Sequence, residues 1–545
     1  MGQGVVDSFG RCGNAPLTVH SARTTECKPV SAAEIPAREI ILAAINARYR
    51  HTSFGLRYLM ANLGELEACA AIVEASLQQN TDAIVEGILA HQPRVVGLGV
   101  YVWNAVRALE VVRALKRRAP EVVVVLGGPE VSHEWDDQEI VSLADYTVCG
   151  EGEDTFRTLC EQLLHGERPT RRIWPATTPE LATLASPYPL YTDEDLAHRV
   201  IYVEASRGCP YRCQFCLSSL DKGVRMIPLE PFFADLQTLL DRGAKDFKFI
   251  DRTFNLRIQD SVAILRFFLD RLRPGLSLHF EMVPDRLPDE LRTLLAAFPP
   301  GTVQLEIGIQ SWDPVVGKLI ERRQDAQRTE DNLRFLAEHT GVHVHADLIV
   351  GLPGEDLGTF AAGFDRLYGL GPQEIQVGIL KRLRGTPIVQ HDESKRMVYN
   401  PSPPYDVVST STMTGSEVNA MKRFARYWDL IANSGNFVGS TALLLSQGGS
   451  PFATFYAFSE WLFESIQTTH HIDLHTLIRQ VFVYLTTIQG VPASDAASAL
   501  AQDLHRTPGR KTPRFLKEHL PRDWKGAGTT SPTGSLARQN RHWGV

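Results

Sequence analysis

Three cysteines within eight residues constrain this chain more than any other feature. The run reads Arg207-Gly208-Cys209-Pro210-Tyr211-Arg212-Cys213-Gln214-Phe215-Cys216, with Cys-x3-Cys-x2-Cys spacing and an aromatic just before the last thiol. Three thiolates on one tight loop hold three irons of a cubane cluster and leave the fourth iron open. Such clusters are normally held by four cysteines, so a trio without a fourth nearby points to an exchangeable position. Zinc wants four ligands, usually as two separated pairs. No cysteine follows Cys216, and no histidine lies in the next dozen residues. That count disfavours zinc, and a disulfide has less support still, because nothing else suggests an oxidising compartment.

Length sets the next limit. At 545 residues the chain exceeds one ordinary core, and two or three domains are expected. The hydrophobic content of 43% and net charge of −7 suit a globular protein and give no reason to expect nucleic acid as a bulk partner. The stretch from Arg506 to Val545 differs, with nine Lys or Arg against Glu518 and Asp523. It reads as a solvated tail, with a basic contact patch as the alternative. No run of about 18 apolar residues predicts a membrane span. Residues 1–37 lack the apolar core of a signal peptide and read as a disordered leader. A cytoplasmic protein is expected. Cys12, Cys27, Cys69, Cys149 and Cys160 are scattered and read as structural or incidental.

The pattern predicts a doubly wound α/β unit over residues 38–165. Glu39–Asn46, Arg94–Val102 and Glu121–Leu126 are branched apolar runs that suit buried parallel strands. Val106, Leu109, Val112 and Leu115 form one stripe at helical spacing. The strand ends carry Tyr101-Val102-Trp103-Asn104, Gly127-Gly128-Pro129-Glu130 and Cys149-Gly150-Glu151-Gly152-Glu153. Ligands bind at such carboxyl ends in doubly wound sheets. A proline-punctuated linker is expected over 166–198. Six further strand–helix repeats over 199–390 predict a partial TIM-type barrel, its site at the carboxyl ends of the strands. Residues 391–520 read as helical, and 521–545 as a disordered tail.

The barrel strands end in polar groups: Asp251-Arg252-Thr253-Phe254-Asn255, then Glu281, then Glu306 with Gln310, then Gly351-Leu352-Pro353-Gly354-Glu355, then Lys381-Arg382. Each residue has a plainer role available. Glu306 suits a buried, paired acid, Gly351 and Gly354 a turn, and Asp251 and Asn255 a helix cap.

The cysteine spacing resembles the signature of the radical S-adenosylmethionine superfamily. The upstream unit, with its Gly127-Gly128-Pro129 and Gly150-Glu151-Gly152-Glu153 strand ends, resembles the cobalamin-binding domain found ahead of many such barrels. Tyr101-Val102-Trp103-Asn104, Phe249 to Asn255 and Leu383-Arg384-Gly385-Thr386-Pro387 resemble a subgroup with a helical C-terminal domain of unassigned role. The resemblance implies a [4Fe-4S] cluster on Cys209, Cys213 and Cys216. It implies S-adenosylmethionine near Phe215, with Asp251, Thr253 and Asn255 at the methionyl amine, Glu306 and Gln310 at the ribose, and Gly351, Pro353 and Glu355 near the adenine. It implies cobalamin against Asn46, Tyr101, Trp103, Asn104, Gly127, Gly128, Pro129, Gly150 and Gly152. Two departures stand out. The usual Gly-Gly-Glu is missing from the second barrel strand. The Asp-x-His-x-x-Gly motif that supplies cobalt's lower ligand is also missing, and His51 before Gly55 has the wrong spacing. The lower face of the corrin then falls to Tyr101, Trp103, Asn104 or water.

The activity implied is methylation of an unactivated carbon through a 5′-deoxyadenosyl radical and methylcobalamin. The substrate, a small molecule or peptide, is not fixed, and flavodoxin or ferredoxin is the kind of electron donor expected. Cyclisation, ring contraction and oxidation with the same cofactors stay open, as does a non-catalytic sensor of cobalamin or S-adenosylmethionine. A methylthiotransferase is disfavoured, because that family carries a second cysteine trio in its N-terminal domain.

Overall fold

Two parallel six-stranded sheets follow one another along the chain. The computed structural model describes residues 37–221, 223–446, 448–522, 524 and 538–543. The expected leader lies outside them, apart from Ala37. The first sheet holds β1 (Ile40–Asn46), β2 (Ala70–Ser76), β3 (Val95–Gly99), β4 (Val123–Gly127), β5 (Tyr146–Cys149) and β6 (Ile173–Pro175), in the order β2-β1-β3-β4-β5-β6. β1 is Ile-Ile-Leu-Ala-Ala-Ile-Asn, buried over its first six residues, as a strand covered by helices on both faces must be. Its two faces feed two separate cores. Ile41, Ala43 and Ile45 pack on one side, and Ile40, Leu42 and Ala44 on the other. The chain reverses between β1 and β3, the switch point where such sheets open a crevice.

The second sheet holds β7 (Ile201–Val203), β8 (Asp246–Phe249), β9 (Ser277–Met282), β10 (Val303–Gln310), β11 (His343–Val350) and β12 (Glu374–Ile379), neighbours in that order and all parallel. It is a partial barrel with free edges at β7 and β12. Its strands alternate. Leu278, Phe280 and Met282 on β9 are buried in the outer core, whereas His279 and Glu281 between them are only half-buried. The interior is therefore polar.

Part of the stretch expected as linker belongs to these elements, because β6 adds an edge to the first sheet. The helices Gly415–Ile431, Val438–Leu445, Pro451–Ile466, Leu474–Val483 and Ala493–His505 follow. They share the barrel's core: Phe364, on the helix before β12, packs edge-on against Trp428 at 4.9 Å. Residues 538–543 lie inside the stretch expected as a disordered tail, yet they form a short helix. Arg538 Nη2 sits 2.7 Å from Glu374 at the amino end of β12, which ties that segment down. Among the described residues no helix is long and apolar enough to cross a membrane.

Candidate active site

The cysteine loop leaves the edge strand β7 and is pinched at its base. Ser206–Arg207 pairs antiparallel with Arg225–Met226. At Gly208, φ is +91° and an added Cβ would stand 1.8 Å from the Gly223 carbonyl oxygen, so only glycine fits. Gln214, between two of the cysteines, anchors the loop. Its N–H donates to the Ile320 carbonyl at 3.0 Å and its carbonyl accepts from Ile388 N–H at 3.0 Å. Its side chain meets His391 Nε2 at 2.6 Å and donates to Glu321 at 3.2 Å.

Cys209, Cys213 and Cys216 then face a cavity of about 210 Å³ with Phe215, Thr253, Glu306 and Gln310. Arg322 donates from Nη1 to Cys213 Sγ at 3.3 Å, and Cys209 Sγ lies 3.8 Å from Thr253 Oγ1. Burial pushes the Cys209 thiol up. Among the described residues no three His, Cys, Asp or Glu side chains could share a single metal ion. A cubane spreads its irons over separate thiolates, and three thiols facing one cavity suit that arrangement.

Gln310 reaches the cavity through a local irregularity. The β10–β11 register shifts between Gly308 and Gln310, and Gln310 has φ +71°. A bulge of this kind re-aims a side chain. An added Cβ on Gly308 would stand 2.5 Å from Gln310 Nε2. Glu306 Oε2 is 2.9 Å from His279 Nε2 and 3.6 Å from Lys248 Nζ. Burial alone would raise this carboxyl, but the His279 hydrogen bond and the Lys248 ammonium hold it well below the usual carboxylate range. Burial, with Glu306 and Glu281 nearby, drives Asp347 the other way. Gln310 Oε1, Asp347 Oδ1 and Arg322 Nε are buried without hydrogen-bond partners among the described residues. Buried polar atoms normally find partners, so Gln310 Oε1 and Arg322 Nε leave room for a polar ligand, whereas Asp347 Oδ1 has His345 Nε2 at 3.5 Å.

The remaining residues expected at S-adenosylmethionine line neither of the two cavities described here. Asp251 accepts from Ala205 N–H at 3.0 Å and Ser206 Oγ at 2.5 Å, joining the ends of β8 and β7 beneath the loop; burial lifts it to about 6. Asn255 is saturated by Val283 and the Arg286 carbonyl. Gly351 faces Val407, whose Cγ1 would stand 2.5 Å from an added Cβ. Glu355 accepts from Ser311 Oγ at 2.5 Å, and its carbonyl accepts from Thr412. Pro353 lies in the same turn. Glu281, expected as a polar group at a strand end, lines this cavity. Sequence reasoning missed Arg322 and Asp347 as cavity residues; the alternation of His345 and Asp347 was the available signal for that acid.

A second cavity, about 710 Å³, opens at the carboxyl ends of the first sheet. Of the expected residues Asn46, Tyr101, Trp103, Gly127, Gly128, Gly150 and Gly152 line it, and Asn104 and Pro129 do not. Asn104 is a strut instead. It accepts from Tyr101 N–H at 2.8 Å and donates to the Ile45 and Gly99 carbonyls at 3.1 Å, tying β1 to β3 at the switch point. Glycines line the floor, where neighbouring groups pack too closely for a side chain. A Cβ on Gly97 would stand 2.9 Å from the Phe156 ring. At Gly128, φ is +104° and a Cβ would stand 2.5 Å from the Val100 carbonyl. Tyr101 stacks on Trp103 with centroids 4.3 Å apart and planes 12° apart, and Trp103 is 52% exposed. His51 lines the cavity too, but its Nδ1 is engaged by the Tyr202 hydroxyl at 2.7 Å, and burial lowers its pKa. A deep, largely apolar groove floored by glycine and walled by stacked rings fits a flat macrocycle with a long tail.

The barrel supplies the opposite wall of this cavity. Arg207, over the Tyr58 ring at 4.5 Å, donates to Glu204 at 2.8 Å and to Glu151 and Glu153 at 2.7 Å. Burial would raise Glu151, but its Arg225 and Arg207 bonds hold it low. The other barrel edge is gripped by the loop after β4. Arg384 donates to Glu130 at 3.0 Å, and Gly385 N–H to Glu134 at 3.0 Å. The first sheet thus clasps both free edges of the barrel. Ser218 and Arg252 line both cavities.

Comparisons with known proteins agree with this arrangement. The B12 binding domain family matches residues 40–160, the Radical SAM superfamily residues 203–367, and a protein family of unknown function, DUF4080, residues 394–525. The cobalamin-dependent radical SAM methyltransferase TokK of Streptomyces tokunonensis is 28% identical over 64% of this chain and 56% of its own length. The 2-(S-pantetheinyl)-carbapenam-3-carboxylate methyltransferase of Streptantibioticus cattleyicolor is 28% identical over 61% of this chain and 54% of its own length. The chain thus spans about half the length of these curated relatives. The cobalamin-dependent S-adenosylmethionine radical enzyme OxsB, solved with aqua-cobalamin and S-adenosylmethionine, has the same fold: TM-score 0.59 at 14% identity, over 83% of this chain and 79% of that one. This is a B12-binding domain joined to a radical SAM domain. The chain is homologous to the cobalamin-dependent radical SAM methyltransferases, whose cofactors are cobalamin, S-adenosylmethionine and a [4Fe-4S] cluster.

Proposed function

We propose that the protein methylates an unactivated carbon of a small molecule, as a cobalamin-dependent radical S-adenosylmethionine enzyme. The observation that carries this reading is the junction of the two cavities at Ser218 and Arg252, where a substrate meets both cofactors at once. The relative named for a carbapenam substrate supports a small molecule over a peptide. Cobalamin and the cluster supply the methyl group and the electron that cleaves S-adenosylmethionine, chemistry that belongs to the cofactors.

The chain's own residues orient and shield. Cys209, Cys213 and Cys216 hold the cluster. Phe215, Thr253, Glu306, Gln310 and Arg322 surround S-adenosylmethionine, with the unpaired Gln310 Oε1 and Arg322 Nε taking its polar groups. Tyr101 and Trp103 form the plate against the corrin, and Gly97, Gly127 and Gly128 admit its tail. We assign 38–165 to cobalamin binding, 199–390 to the barrel and 391–520 to the helical domain. We place the protein in the cytoplasm, reduced by a flavodoxin or ferredoxin.

Anaerobic incubation of the reconstituted protein with S-adenosylmethionine and a strong reductant tests this. Both 5′-deoxyadenosine and S-adenosylhomocysteine should form, the second only when cobalamin is bound. Deoxyadenosine without any S-adenosylhomocysteine would sink the methylation reading. Neither product, with both cofactors loaded, is the behaviour of a sensor.

A further inference from the structure

Arg252 follows β8 and fronts both cavities, a position it shares with Ser218 alone among the lining residues. The arginines around it are committed. Arg207 donates to three carboxylates, Arg225 to Glu151 and the Pro179 carbonyl, and Arg322 to Cys213 and the Gly308 carbonyl. Arg252 has one loose partner, Glu281 Oε2 at 3.9 Å, and its side chain is 54% exposed. Among the described residues its guanidinium makes no hydrogen bond. A guanidinium presents five donors in a planar fork that matches carboxylate and phosphate oxygens. Once ligands fill the cavities and displace water, those donors need acceptors.

We propose that Arg252 is a specificity-determining residue that takes an anionic oxygen group of the substrate, a carboxylate or a phosphate, at the neck between the cavities. The inference rests on the reading above, in which the reacting carbon lies between the cofactors. The position separates substrate from S-adenosylmethionine. The latter must reach the cysteines, where Arg322 and Gln310 hold free polar atoms, whereas Arg252 also faces the cobalamin side. Glu281, the loose partner, yields the guanidinium to a better-placed anion.

The test uses the full protein loaded with cluster and cob(II)alamin, with inorganic phosphate and acetate as probes. Iron, sulfide and cobalt are counted first. A wild type that loads neither cofactor counts against the proposed function and leaves the neck to a different reading. Paramagnetic cob(II)alamin should speed the nuclear relaxation of a probe bound at the neck, read on phosphorus for phosphate and on the carboxyl carbon for acetate. The enhancement is expected to fall at least tenfold in Arg252→Met and to return in part in Arg252→Lys, while S-adenosylmethionine affinity changes less than twofold. The stronger of the two probes names the anion. No enhancement in wild type, or equal enhancement in Arg252→Met, overturns the proposal. A tenfold loss of S-adenosylmethionine affinity also overturns it, by giving Arg252 to that ligand.

Discussion

The cavity on the first sheet and the cavity in the barrel meet at Arg252 but are lined in opposite ways. The first is large and mostly apolar: Gly97, Gly127 and Gly128 line its floor, where Gly97 and Gly128 leave room for Phe156 and the Val100 backbone, and Tyr101 and Trp103 form a flat wall. The second is small and crowded with charge, and several polar atoms in it lack partners. Shape admits a large cofactor that brings its own polar groups. Unpaired donors and acceptors fix a small, flexible one that must be held in a single pose. The difference predicts that the two sites fail independently under mutation and fail together only when the clamp between them is broken.

The largest effect falls on the cluster side. Replacing Cys213 by alanine should remove nearly all iron and sulfide from the reconstituted protein and leave cobalamin retention unchanged. Loss of both cofactors would mean the cavities are not separable. The clamp comes next. Arg207→Met strands Glu204 and Glu153 and leaves Glu151 to Arg225 alone, and removing one partner of a buried ion pair costs about 3–5 kcal/mol. Denaturant unfolding of the cofactor-free protein measures it, and a cost under about 1 kcal/mol, typical of surface pairs, would mean the clamp is a solvated contact.

A smaller effect is expected on the shape side. Gly97→Val drives a side chain into the Phe156 ring, and overpacking costs about 1–3 kcal/mol. Cobalamin affinity should fall roughly tenfold or more, with cluster iron unchanged by elemental analysis. The smallest effect is a pH dependence. Burial lifts Glu355 to about 8, with the Ser311 hydroxyl pulling the other way. Below about pH 4.3, the ordinary glutamate value, folded and unfolded chains both carry the proton. Between there and about pH 8 only the folded chain keeps it. Stability therefore falls as pH rises through that window, by at most about 1.4 kcal/mol per pH unit. Glu355→Gln should flatten that slope in unfolding measured from pH 5 to 8. An unchanged slope would show that the carboxyl is already ionised.

Much of the first cavity was legible in the sequence, because strand ends in a doubly wound sheet carry the ligand and glycine runs mark them. The cysteine loop was legible for the same reason: its spacing is local. What could not be read depends on contacts between distant segments. Asp251 and Asn255 sit at a strand end, as a cofactor ligand would, but Ala205 and Val283 engage them. Gly351 to Glu355 turn toward Val407 and Thr412, in a strand and loop ahead of the Gly415–Ile431 helix, whose packing on the barrel leaves no periodic trace. Arg322 comes from the loop after a short helix, and no spacing links it to Cys213. β2 and β6 are edge strands that escape a search for buried runs, β2 because Glu74 and Ser76 break its apolar pattern and β6 because it is only three residues long.

In the proposed enzyme one clasped chain sets a cobalamin and a cluster on either side of a shared neck. Electron paramagnetic resonance of the reduced protein tests it directly, since cob(II)alamin and the reduced cluster are both paramagnetic. With both loaded, each signal should be broadened or split by the other, and either one alone should give its unperturbed spectrum. A doubly loaded spectrum equal to the sum of the two single ones would place the cofactors too far apart to act on one substrate and would contradict the account.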